Sequence, residues 1–319
     1  ASHLDQKGIV GDEQSSFKRT TAKISLNSDI RDNFKISTDI LFNNNRSKSI
    51  NSFGLGSVLF NAINISPTIA PGRENLAGTI NLGAEVVNPL TQIEQTFNDF
   101  ETNKLSGNFK AELEYIDGFT ITGRYGFNYT NLTNREFFPI FSFGDSKVFN
   151  RSRNRVDQNQ QEFYDYTFDL FHTIDRTLND VHDFKFTIGT TVFRFHGEGL
   201  FGSRNDVPGN SFEFADIGTA TGSGESRTSD AFVSEERRLS YFGRLNYTFD
   251  DKYLLTAIIR RDRSLKFGPN FSTGWFPSFS AGWIASEEAF FPEIDAINYF
   301  KIRGSYGELG NDRIGDFLY

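Results

Sequence analysis

The sequence predicts an all-β protein: an antiparallel transmembrane β-barrel segment of about ten strands. Three observations carry that prediction. Two consecutive runs, Leu105–Tyr115 and Phe119–Tyr129, alternate almost without error around Ile116-Asp117-Gly118. The same rhythm recurs along the chain. The connections between strands also alternate in length, short after odd strands and long after even ones, as in bacterial outer-membrane barrels.

In the first pair of runs, one face carries Leu105, Phe109, Leu113, Tyr115, Phe119, Ile121, Tyr125 and Tyr129 with no charge among them. The other face carries Lys110, Glu112, Glu114, Thr120, Thr122 and Arg124. Period-two alternation means extended strands with one apolar and one wet face. Each run has about the 9–11 residues that a tilted strand needs to cross a bilayer.

The remaining strands follow in order. Ala22, Ile24 and Leu26 alternate with polar neighbours up to a turn at 30–33, and Phe34, Ile36, Thr38, Ile40 and Phe42 return. Tyr164, Tyr166, Phe168 and Leu170 lead to a turn around 175–183, followed by Phe184, Phe186, Ile188, Thr190 and Val192. Leu245, Tyr247 and Phe249 reach Asp250-Asp251-Lys252, a tight turn at which the carboxylates are expected to satisfy backbone donors. Tyr253, Leu255, Ala257 and Ile259 come back; Phe279, Ala281 and Trp283, then Phe300, Ile302, Gly304 and Tyr306, form the last pair. Leu4 reads as the end of an earlier strand. The long connections are expected over 43–103, 131–161, 197–235 and 262–274, with a short loop helix near 56–65 and a mobile external loop over 197–230. Tyr115, Phe119, Tyr247, Phe249 and Tyr253 beside short turns suit an interfacial aromatic girdle, although strands are rich in such rings anywhere.

Composition agrees. Hydrophobic residues make up only 37% of the 319 positions, yet aromatics reach 15%, with 36 Phe and 11 Tyr. A thin apolar skin of large rings over a polar interior has that balance, whereas a soluble β-sandwich, which also alternates, must fill a two-sided core. Acidic residues outnumber basic ones by 41 to 33, for a net charge of −8 and no basic stripe, which speaks against nucleic acid. The absence of cysteine excludes disulfides and thiolate metal sites. The absence of methionine has no physical explanation here. No signal peptide precedes Ala1, so processing has removed one or the sequence is a fragment. The longest uncharged stretch, 49–72, contains three Asn and two Pro and does not read as a membrane helix.

From Ser240 onward the chain carries Tyr241-Phe242-Gly243-Arg244-Leu245-Asn246-Tyr247, Asp250-Asp251-Lys252-Tyr253-Leu254-Leu255-Thr256-Ala257 and Trp275-Phe276-Pro277-Ser278-Phe279-Ser280-Ala281-Gly282-Trp283. In these runs it resembles SusC/RagA-like TonB-dependent outer-membrane transporters. The resemblance continues through Lys301-Ile302-Arg303-Gly304-Ser305-Tyr306-Gly307 and Gly310-Asn311, with weaker support from Asn88-Pro89-Leu90. The resemblance implies a barrel of about 22 strands with a plugged lumen, multi-pass in the bacterial outer membrane. It also implies TonB as energy source, a SusD-like surface lipoprotein as lid, and import of oligosaccharides or peptides into Bacteroidetes-type cells. Neither plug, TonB box nor closing C-terminal strands are found, so residues 1–319 are expected to be one partial barrel domain of a longer transporter. A passive porin and a loop-displaying adhesin are the alternatives.

No catalytic constellation, cofactor motif or metal-ligand spacing stands out, and no enzyme activity is expected. His172 and His182 fall beside an expected periplasmic turn, where a solvated role is the simpler reading. The candidate substrate-binding residues are Phe137, Phe138, Phe141 and Phe143, followed by Arg151 and Arg153, with Phe149 and Arg155 alongside. Aromatic faces stack on sugars or apolar side chains, and Arg grips carboxylates. A self-packed loop cluster, or contact with the lipoprotein lid, fits the same residues.

Overall fold

The computed structural model describes residues 1–67, 84–268, 270–292 and 297–315. Eleven strands form one antiparallel sheet in which each strand pairs only with its neighbours in sequence. They are β1 (Ser2–Gly8), β2 (Asp12–Arg31), β3 (Phe34–Lys48), β4 (Phe97–Ile116), β5 (Phe119–Phe138) and β6 (Arg155–Leu178), then β7 (His182–Asn205), β8 (Arg227–Phe249), β9 (Tyr253–Ser264), β10 (Thr273–Ile284) and β11 (Lys301–Gly307). The ten expected strands are β2 to β11. The eleventh is β1; Leu4, expected at the end of an earlier strand, lies inside it, and the strand continues to Gly8.

Side chains face as the alternation requires. On one surface the apolar rows stand open, with Ile24 66%, Ile188 52% and Phe279 53% exposed. On the other, Thr122 is 2%, Asp169 6% and Ser240 1% exposed. Asp169 there takes Arg124 at 2.7 Å and the Thr191 hydroxyl at 2.7 Å. Apolar groups outside and satisfied polar groups inside invert the rule for a soluble protein. No second sheet covers the apolar surface among the described residues, so the sandwich alternative does not describe this chain.

Strand length is the main departure from expectation. β6 and β7 each run 24 residues and pair without a break from Leu178↔His182 to Arg155↔Asn205. That is more than twice a membrane crossing of about 9–11 residues. The long connections shrink accordingly to 49–96, 139–154, 206–226 and 265–272, and residues 197–205 and 227–230 are strand rather than loop. The sequence hides this extension because polar residues on both faces erase the alternation once a strand leaves the apolar band. Length parity also has two exceptions: β1 and β2 join through 9–11 on the long-loop side, and on the turn side β10 and β11 join through 285–300, longer than 265–272.

Turn chemistry fixes the hairpins at the other end. Gly118 sits at φ +72°, and the Glu114 carboxylate accepts its N–H at 2.8 Å. Asn179 with Asp180, and Asp250 with Asp251, adopt left-handed backbone in pairs, the geometry that twisted hairpins favour. The Asp250 carboxylate binds Lys252 Nζ at 2.7 Å rather than a backbone donor, which corrects the expectation for that turn.

An aromatic belt lines the outer surface at this end. Tyr115 OH meets His172 Nε2 at 2.9 Å, and Tyr247 OH meets His182 Nδ1 at 2.8 Å. Phe249 lies 6.0 Å from Tyr253, whose hydroxyl donates to Glu288 together with Trp283 Nε1. His172 and His182 are therefore members of the belt, not merely solvated turn residues. Ten residues up β4 from Tyr115, Leu105 pairs with Tyr129, which pairs with Tyr164. Ten residues span about 33 Å of strand, or about 25 Å of height at the usual tilt, which is the height of a barrel's apolar band.

Candidate functional site

Above the band, three long connections interlock. The first contains α1 (Val58–Asn64), within the helix expected near 56–65, and α2 (Pro89–Glu94). Ser57 caps α1 by accepting from Phe60 N at 3.1 Å. Asn88 caps α2 through Leu90 N, with Pro89 in the first turn, where its missing N–H costs nothing. Buried Asn61 ties the two helices, donating to Gln92 Oε1 at 2.8 Å and accepting from Val87 N at 3.2 Å. Gly56, at φ +74°, leaves room for Phe149, whose ring would lie 2.0 Å from a Cβ at that position.

The second connection, 139–154, carries most of the sequence-predicted site. It is pinned to the first by Lys147 Nζ donating to Val86 O at 2.7 Å. It is pinned to the third, 206–226, by buried Asn154, which donates to Val207 O at 2.8 Å and accepts from Val207 N at 2.7 Å. Asn210 adds a reciprocal pair with the Ile140 backbone, at 2.7 and 3.1 Å.

Within this frame the predicted residues separate. Phe137 is buried in a cluster with Val156, Val207, Ala215 and Ala220, flanked by Phe97 and Phe212. Phe143 is also buried and meets Phe141 edge-on at 4.9 Å. Arg153 is bound to Asp206 through two contacts of 3.0 and 2.5 Å, and those hydrogen bonds hold the carboxyl below its ordinary range. Phe138 is half-buried between Arg155, 4.5 Å from its ring centroid, and Arg151, 5.4 Å away. Burial, and then the charge of Arg155, lower the pKa of Arg151. Among the described residues no carboxylate pairs with Arg151. Phe138 with Arg151 and Arg155 thus forms a cation–aromatic surface, while Phe137, Phe143 and Arg153 hold the loops that present it.

A second group escaped the sequence reading. On the polar face, the extensions of β5 to β8 surround a cavity of about 260 Å³ that includes Glu136, Asp157, Ser203 and Asp230. Asp157 accepts from Ser203 at 2.6 Å and from Arg155 at 3.0 Å, linking this cavity to the Arg155 side of the cluster. No alternation marks it in the sequence beyond Tyr129; Glu136 shares the parity of Thr122 and Arg124 once β5 is known to continue to Phe138.

Known proteins share this architecture. The TonB-dependent-receptor-like β-barrel family model matches residues 13–311. TonB-dependent receptor P39 of Formosa agariphila is 28% identical, over 99% of this chain and 29% of its own length. TonB-dependent receptor SusC of Bacteroides thetaiotaomicron is 24% identical over 99% of this chain and 32% of its own. The RagAB peptide importer in its open-open state superposes with a TM-score of 0.84 at 20% identity, covering 99% of this chain and 35% of that one. The chain therefore spans about a third of the relatives it matches. With a family match across nearly all of an inside-out sheet, the chain belongs to the TonB-dependent-receptor-like β-barrel family.

Proposed function

We propose that residues 1–319 form part of the barrel of an active outer-membrane importer. The barrel-family match on a sheet with an open apolar surface carries this reading. β1 and β11 leave their outer edges unpaired in the described sheet, and unpaired edges are not stable in hydrocarbon. Further strands to close the barrel, a plug and a TonB box belong to the rest of the longer protein in this reading. TonB supplies the energy, a SusD-like lipoprotein covers the loop end, and the cargo is an oligosaccharide or a peptide. The protein acts by binding and translocation, not by catalysis.

Phe138, Arg151 and Arg155 are assigned to cargo contact at the mouth, or to the lid closing over it. Phe141 supports them through the Phe141–Arg151 backbone pair at 3.2 and 2.9 Å. The acidic cavity beside them supplies acceptors for hydroxyls or amines. The test is uptake by the intact transporter in cells with and without TonB. TonB-dependent accumulation of a glycan or peptide supports the reading, whereas equal passive conductance in both backgrounds returns the porin. With import intact, Arg151→Gln is expected to raise the half-saturating cargo concentration several-fold.

A further inference from the structure

The lipid-facing surface of β7 to β10 is not uniform. Registers align Ile188↔Gly243↔Ile259↔Pro277 as one outward row and Phe186↔Leu245↔Ala257↔Phe279 as the next. Gly243 and Ala257 are small, and larger side chains flank them on either side. The result is a groove of about 710 Å³, lined almost wholly by apolar atoms. A Cβ on Gly243 would meet only Ile259, at 3.7 Å, so the floor is low without being strained.

The next row toward the long loops is Tyr241↔Arg261↔Trp275, which places a guanidinium on the outer surface at the head of the groove. Arg261 lies 5.9 Å from the Trp275 ring centroid. It stands nine residues from the turn at Lys252, about 30 Å along the strand, comparable to Tyr129, eleven residues from Gly118 on its own strand. Arg263 and Arg237 share its outward parity and continue upward. Glu235, the carboxylate on this part of the surface, is taken by Arg237 at 2.8 Å and Arg194 at 3.3 Å. Among the described residues, none pairs with Arg261 or Arg263. Arginine on a lipid-facing surface is costly unless it reaches the interface and meets an anion.

We propose that this groove and its arginines form a binding site for a phosphorylated lipopolysaccharide of the outward leaflet. One acyl chain lies along Gly243 and Ala257, and the sugar phosphate rests on Arg261 and Arg263. The commitment to the outward leaflet follows from the arginines lying on the long-loop side, which faces outward in such barrels. This inference rests on the outer-membrane reading above.

The test is native mass spectrometry of the full-length transporter, delipidated and titrated with bisphosphorylated lipid A, dephosphorylated lipid A or phosphatidylglycerol. Lipid A is expected to bind at least tenfold more tightly than either other probe. Gly243→Leu, which fills the floor where a Cβ fits, and Arg261→Gln should each weaken it tenfold or more. Lys104→Gln, the same charge change on the polar face, should leave it unaltered. Equal binding of the dephosphorylated form, or no effect of either groove variant, overturns the site. Phosphatidylglycerol binding as tightly as lipid A overturns the assignment to lipopolysaccharide. A stable dimer abolished by Gly243→Leu overturns it in favour of a second copy. Flotation with vesicles separates the two readings: integration without lipid selectivity defeats this inference alone, and failure to integrate defeats both.

Discussion

The turn end and the loop end of this sheet are built on different physics. At the turn end, four hairpins close in two or three residues, β10 and β11 join through 285–300, and the rings of Tyr115, Phe249 and Tyr253 stand exposed on the outer surface. At the loop end lie Val58, Val86, Val87, Phe137, Phe143, Val156, Val207, Ala215 and Ala220, all buried; among the described residues Ala285 is the buried apolar residue outside that group. The conventional hydrophobic core of this chain therefore belongs to its loops. Between the ends, the apolar band has lipid as its partner, so its stability comes from backbone pairing and from keeping charge off the surface. The same substitution should consequently have different effects in the two places.

The sharpest way to break that contrast is Phe137→Ala. Truncating a buried Phe costs about 3–5 kcal/mol. Here the loss should be confined to the loop cap, read as faster hydrogen exchange across 139–154 and 206–226 with β6 and β7 protected. Uniform loss of protection would mean that the two ends are one cooperative unit. Next in size is Phe168→Arg, near the middle of the band. A cation at that depth costs about 2–4 kcal/mol in a lipid-embedded barrel, measurable by denaturant unfolding in vesicles. The loop cap should be unaffected in that variant. A result near zero would mean that the outer surface does not contact hydrocarbon.

Asn154→Ala strips Val207 of partners for both its N–H and its C=O, at about 1–3 kcal/mol for a buried polar group left unsatisfied. Protease cleavage within 206–226 should accelerate while the strands remain intact. The smallest effect concerns pH. Arg153 hydrogen bonds lower the Asp206 carboxyl below its ordinary value, so the clamp is fully present above that value and is lost as pH falls through the lowered one. Loop exchange should therefore rise below about pH 4, and Asp206→Asn should abolish that dependence. Because both side chains are exposed, the amplitude should be slight.

The sheet was largely legible in the sequence. Alternation along 105–129 named the residues of the outer row and the adjoining turn, and Asp250 to Lys252 marked another. β1 was signalled by Leu4 alone, because the other residues of Ser2–Gly8 are polar or glycine and show no alternation. The upper strand ends were not legible. From Asn131 to Arg135 and from Gly197 to Asn205, water lies on both sides, and hydrophobicity no longer reports which face a residue occupies. The site divided the same way. Clustered Phe and Arg pointed to one connection, but composition could not distinguish Phe137, which packs, from Phe138, which lies half-buried beside two arginines.

By itself the sequence determined the strand period, the face that meets hydrocarbon and most of the hairpin turns, because each depends on neighbours within a few residues. Tertiary structure alone decided that the long connections share a core, that Asp206 occupies Arg153 while Arg151 has no carboxylate partner among the described residues, and that Gly243 opens a groove beneath Arg261. Those outcomes depend on residues far apart in the chain meeting in space. No local pattern encodes such meetings, since their energy exists only after the strands have aligned.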